Sequence, residues 1–165
     1  MNSLSFLYKD FIPVSYNVRM KIVRTDIRCL LERVCANKST LYSKAPVLIA
    51  VLSKKIGGII GDRLVHVSEF VIAKIKGLIP ELDGHPEITN DIFLRIPKSL
   101  NEPLYIYRDE RTSGRIKFLF VADEPLHLLV IEMLRLETGV TEINSIFPLG
   151  ERTLKQLGSK FQAVL

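Results

Sequence analysis

The chain has 165 residues, 47% hydrophobic and 25% charged, which places it among ordinary globular domains and gives enough length to bury one core. No run of 18 apolar residues occurs, since the richest one, 45–52, is cut by Ser53, Lys54, Lys55, Gly57 and Gly58, so a membrane-spanning helix is not expected. The net charge of +5 is uneven: residues 1–65 hold 11 Lys/Arg against 4 Asp/Glu (net +7), and residues 66–165 hold 12 against 14 (net −2).

The opening MNSLSFLYKDF has no positive residue ahead of its apolar ones and no small-residue cleavage site, so a cytoplasmic location is expected. Val18, Ile22, Ile27, Leu30, Leu31 and Val34 fall near helical spacing with arginines between them, which predicts a basic amphipathic helix over 18–34. Cys29 and Cys35 lie six apart with no His at ligand spacing, so they are expected as reduced core thiols, and no metal or other cofactor is implied. Pro46 and the apolar run behind it suggest a second helix over 45–55, with Gly57, Gly58 and Gly61 as a flexible connector. GGIIG lacks the following Lys-Ser/Thr of a phosphate-binding loop.

Arg63 to Val67 then reads as a short strand, and Ser68 as the N-cap of a helix over 69–79. Residues 79–89 are turn-rich, and Thr89 caps a short helix that Pro97 stops. From Pro103 the pattern becomes period two. Four strands are predicted over 104–108, 115–122, 126–135 and 140–147, separated by turn sequences short enough for an antiparallel meander. A closing helix over 151–164 would lay Leu154, Leu157, Phe161 and Val164 on one face of that sheet. The expected fold is thus α+β: N-terminal helices, then a four-stranded antiparallel sheet with the C-terminal helix packed on one face. The expected organisation is a basic helical segment over 1–62 and an α+β domain over 63–165.

VHVS (65–68), HPEIT (85–89) followed by LRIPKSLNEP (94–103), RIKFLFVA (115–122) and EINSIF (142–147) occur in an order that resembles the phage-associated barnase/EndoU/colicin/RelE-like nuclease domains, over about residues 64–158. The resemblance implies metal-independent endoribonuclease activity, in which a 2′-hydroxyl attacks the adjacent phosphate. It also implies a toxin or effector of mobile-element origin, with RNA (tRNA being one candidate) and a neutralising protein as partners. Such chemistry needs a proton acceptor, a proton donor and cations on the transition-state charge. His85 matches the His of the family's His-Pro turn, and Ser145 lies where related domains place a small hydroxyl residue. Arg111 joins them as a catalytic candidate, with Arg108, Arg115 and Lys117 as phosphate-binding candidates on the first hairpin. Each has a structural alternative: a turn His bonding backbone, a solvated hairpin, an exposed strand serine. His66 and His127 sit in strand patterns and are expected to be packed.

Two features depart from the pattern. Asn144, Ser145 and Phe147 only approximate the family's hydroxyl-aromatic motif, and residues 66–165 are net negative, so the RNA footprint would have to come from the basic N-terminal segment. A non-catalytic binding or interaction protein on the same scaffold therefore stays open, and it predicts an exposed apolar patch on the N-terminal helices. A basic helix lying on an anionic membrane surface is a third reading.

Overall fold

The computed structural model describes residues 27–39 and 41–165; the part of the expected basic helix that spans 18–26 lies outside the described residues. Residues 27–36 form helix α1, which buries Ile27, Leu30, Leu31 and Val34, a stripe at i, i+3, i+4, i+7. Cys29 and Cys35 fall outside that stripe and are exposed, which corrects the expectation of core thiols.

The apolar run after Pro46 is not a helix. It is strand β1 (Val47–Val51), followed by helix α2 (Lys54–Ile60). Periodicity cannot separate a short buried strand from a buried helix, and the β-branched Val47, Ile49 and Val51 favour the strand. The expected glycine connector is largely that second helix: Ser53 Oγ accepts from Ile56 N at its start, and Gly61, at φ +92°, ends it in the left-handed conformation.

Strand β2 (Leu64–Val67) leads into helix α3 (Glu69–Ile75), whose N-cap Ser68 accepts from Val71 N as the sequence indicates. Two short helices come next, α4 (Asn90–Leu94) and α5 (Ile96–Asn101). Pro97 does not stop the first but opens the second, where its missing N–H costs no hydrogen bond. The predicted meander is present as β3 (Tyr105–Asp109), β4 (Lys117–Ala122), β5 (His127–Glu132) and β6 (Thr141–Pro148), with each consecutive pair antiparallel. Helix α6 (Glu151–Lys160) ends four residues before the expected Val164, and Gln162–Ala163 add strand β7 to the free edge of β3.

The four-stranded antiparallel sheet is therefore corrected to a seven-stranded mixed sheet of order β1-β2-β6-β5-β4-β3-β7, with six helices among the described residues. β2 pairs with β6 in parallel through Val65↔Thr141 and His66↔Glu142, a pairing between residues too distant in sequence to leave a local pattern. Side chains alternate between two cores. Ile106, Phe118, Phe120, Leu129, Ile131 and Ile143 meet α1–α5 on the first face. On the second face, Tyr107, Leu119, Val121 and Leu128 meet Leu157 of α6. Residues on either side of position 62 share one sheet, and Leu30 and Ile49 lie in the same core as Phe118.

The junction between β2 and β6 is held by Asp62. Its carboxylate is buried and accepts from Arg63 N (2.7 Å), Leu64 N (3.2 Å) and Thr141 Oγ1 (2.7 Å). Asp62→Ala strands three donors, and a loss of about 2–4 kcal/mol in urea unfolding is expected; a loss below about 0.5 kcal/mol would show that water satisfies them.

His127 is buried, and its Nδ1 donates to the Pro125 carbonyl at 2.6 Å, while Nε2 has no hydrogen-bond partner among the described residues. Burial holds its pKa below the ordinary 6.5 against the opposing pull of that carbonyl. The unfolded chain therefore binds the proton more readily, and stability falls as pH drops through about 6.5 toward the folded value. The slope of the unfolding free energy between about pH 7.5 and 5.5 should be smaller in His127→Gln than in the wild type; equal slopes would assign the pH dependence elsewhere.

Candidate functional site

The segment that carries His85 is positioned by a helix end. Helix α3 closes with Leu78 N donating to Ala73 O (2.9 Å) and Gly77 N donating to Lys74 O (3.1 Å), a Schellman pair with Gly77 at φ +75°. The remaining Ile75 carbonyl accepts from His85 N at 2.7 Å. Gly84, just before it, lies against Gly77 so closely that a Cβ would sit 2.5 Å from Gly77 Cα and N and 3.0 Å from Ile75 O. Two glycines thus fix the turn by backbone contact alone.

The His85 ring meets Phe147 of β6 edge-on, with centroids 4.6 Å apart. Ser145 and Phe147, two apart on β6 opposite Val130 and Leu128, share the second face of the sheet. Among the described residues neither the His85 ring nitrogens nor the Ser145 hydroxyl is engaged in a hydrogen bond. β6 pairs with β2 only through Thr141 and Glu142, so its later half is an edge on that side. A bulge there sets Ile131 opposite Ile143 and Val130 opposite Ser145, leaving Asn144 as the extra residue. The Asn144 carbonyl accepts from Lys74 Nζ at 2.8 Å. Burial first, and then the charge of Arg135, hold the Lys74 pKa below its ordinary 10.5.

The hairpin cations are arranged differently. Arg111 forms a bidentate pair with Asp109 (Nε–Oδ1 3.0 Å, Nη2–Oδ2 3.1 Å) and lies over the Phe161 ring. That hydrogen bonding lowers the Asp109 pKa and raises that of Arg111. Arg108 pairs with Glu110 (3.0 Å) and covers Phe118 on the opposite, first face. Arg115 bridges buried Glu132 and exposed Glu137, each at 2.6 Å, and its hydrogen bond holds the Glu137 carboxyl down to about 2. Lys117 stands opposite both Asp109 and Glu132 in the sheet. The structure therefore brings His85 and Ser145 to one strand. It leaves Arg108 and Arg111 on β3 and its turn, three strands away, and places Arg115 beside Asn144 only through Glu132, which accepts from Asn144 Nδ2 at 2.9 Å. His66 and His127 are both buried, as expected of strand histidines.

Reasoning from residue types misses Lys74, Arg135 and Asn144. Lys74 reads as an ordinary helix-surface cation, and nothing in the sequence marks the bulge that turns Asn144 toward it. Among the described residues, no group of three His, Cys, Asp or Glu side chains is arranged to hold a metal ion. In comparisons with known proteins, no family model, curated protein or solved structure matches the chain.

If the Gly77–Gly84 contact positions His85, Gly84→Ala displaces the turn, because the obstructing atoms are backbone. A loss of about 1–3 kcal/mol is expected, together with loss of the Phe147 ring-current shift on the His85 ring protons in NMR spectra. Gly58→Ala is the control: its Cβ meets nothing within 4 Å, and a gain of about 0.5–1 kcal/mol is expected from helix propensity. An unshifted His85 spectrum in Gly84→Ala would show that the turn is held by other contacts.

Proposed function

We propose that this protein is a metal-independent endoribonuclease-like protein, with His85 as the proton-transfer group and Ser145 as a hydrogen-bond donor to the scissile phosphate. The observation that supports this reading is the pairing of an uncommitted imidazole, fixed by a glycine-pinned turn, with an uncommitted hydroxyl on the strand it packs against. In the reaction the 2′-hydroxyl gives its proton to His85 and its oxygen attacks the adjacent phosphorus. The bond from phosphorus to the 5′-oxygen breaks, and that oxygen takes up a proton from solvent water, leaving a 2′,3′-cyclic phosphate and a 5′-hydroxyl.

Of the two remaining requirements, charge stabilisation fits Lys74 better than Arg111. Arg111 commits its bidentate Nε/Nη2 edge to Asp109, whose carboxylate offsets its charge, whereas Lys74 donates to a neutral carbonyl next to Ser145 and has no carboxylate partner among the described residues. The alternative, RNA or partner binding without cleavage, draws support from the ion pairs that engage all three hairpin arginines. Among the described residues before position 63, Leu41 alone is a large exposed apolar side chain, so they show no apolar patch of the kind that this alternative expects.

Incubation of the protein with tRNA and a generic RNA in EDTA, followed by analysis of fragment ends, tests the proposal. Cyclic phosphate ends are expected from the wild type, with a loss of about 100-fold or more in His85→Ala and a smaller loss in Ser145→Ala. Intact RNA with folded wild-type protein, or equal cleavage by His85→Ala, would overturn it.

A further inference from the structure

Between α3, the β5–β6 connection and the bulge of β6 lies a cavity of about 280 Å³ lined by Lys44, Ser68, Phe70, Val71, Lys74, Arg135 and Asn144. Three of its seven walls are cationic and none is a carboxylate. The cations reach it by different routes, each fixed. Lys44 lies with its ammonium 4.7 Å above the Phe70 ring. Lys74 is tied to the Asn144 carbonyl. Arg135 is ion-paired with Glu137 (3.3 Å) and with buried Glu142 (3.9 Å).

Like charges gathered around one concavity repel unless an anion joins them. Partial burial and then the charge of Arg135 both disfavour the protonated Lys74 amine, and the opposite charge of a bound anion would offset them. The Ser68 hydroxyl, which accepts from Val71 N, can still donate its O–H, and Asn144 keeps one amide N–H beyond the one it gives to Glu132; both suit phosphate oxygens. The volume is just below the roughly 300 Å³ at which pockets begin to enclose whole drug-sized ligands, so a phosphate with part of its sugar fits better than a complete nucleotide. Asn144 lines the cavity and Ser145 is the next residue along the strand.

We propose that this cavity binds a backbone phosphate of a single-stranded polynucleotide, one that flanks the phosphate presented to Ser145 and His85, with Lys74, tied to the carbonyl next to Ser145, shared between the two. The identity of the ligand rests on the ribonuclease reading; the binding itself does not, because it requires no chemistry.

Binding of a short fluorescent single-stranded DNA, which lacks the 2′-hydroxyl and cannot be cleaved, tests this by anisotropy at low salt, with inorganic phosphate as competitor. Lys44→Gln and Lys74→Gln should each weaken binding by about fivefold or more, and Lys160→Gln on α6, which removes the same charge elsewhere, by less than about twofold. Lys44 is exposed, so its variant is not expected to disturb the fold. Displacement by phosphate at millimolar levels would support a site for the phosphate group itself. Absent binding, or equal weakening by all three variants, would overturn the site even if RNA is cleaved. Conversely, a strand bound through Lys44 and Lys74 beside RNA that stays intact would keep the site and remove the nuclease reading.

Discussion

The carboxylate of Asp62, buried at the start of β2 and saturated by Arg63 N, Leu64 N and Thr141 Oγ1, joins the two parts of the sheet. The parallel pairing it supports has only two registered positions, too few to hold two strands together without further ties. His66 Nδ1 adds a second one, 3.2 Å from the Thr141 carbonyl. The elements after β2 inherit their place from this junction. Ser68 caps α3 directly after the strand, the Schellman end of α3 presents the Ile75 carbonyl, and that carbonyl sets His85 against β6. Moving β2 along β6 by one residue would turn every β2 side chain to the opposite face and carry the His85 turn with it.

How much of this is legible in the sequence depends on the range of the interactions. The meander is encoded locally: Lys117 to Ala122 alternates between two cores, and short turn sequences fix which strand meets which. The Ser68 cap is likewise local. Pairing of β2 with β6 depends on Thr141 and Asp62, 79 positions apart, so no window of sequence contains it. β1 is ambiguous from sequence because its run of apolar residues satisfies helix and strand alike. Gly57 in α2 resembles a connector residue because its role is spatial: a Cβ there would collide with the Arg63 side chain.

The site divides the same way. His85 and its His-Pro turn are visible as a motif, and the hairpin arginines as a local cluster of charge. Their significance depends on carboxylates that only folding brings near. Asp109 and Glu110 are sequence neighbours of Arg108 and Arg111, yet Glu132 and Glu137 reach Arg115 from 17 and 22 residues away. The cations of the cavity stand at positions 44, 74 and 135, a spacing that corresponds to no motif and arises from the docking of α3 on the β6 edge.

Net charge is consequently a poor guide to what this sheet can hold. Glu132 and Glu142 lie side by side in register on β5 and β6, both buried, and an unpaired carboxylate in either place would be costly. Arg115 and Arg135 answer that cost, so these two arginines and three glutamates, Glu137 included, form one structural network. Setting the network aside changes the electrostatic picture of residues 66–165. Their net −2 contains carboxylates already occupied, while Lys44 and Lys74 have no carboxylate within ion-pair distance among the described residues. The field at the β6 edge is set by those uncompensated amines rather than by the sum over the chain, since a concave, partly desolvated site weights near charges over distant screened ones. A sheet built mostly from the acidic part of the sequence thus presents a groove made cationic by Lys44 and Lys74, while Arg135, which also lines it, shares its charge with Glu137 and Glu142.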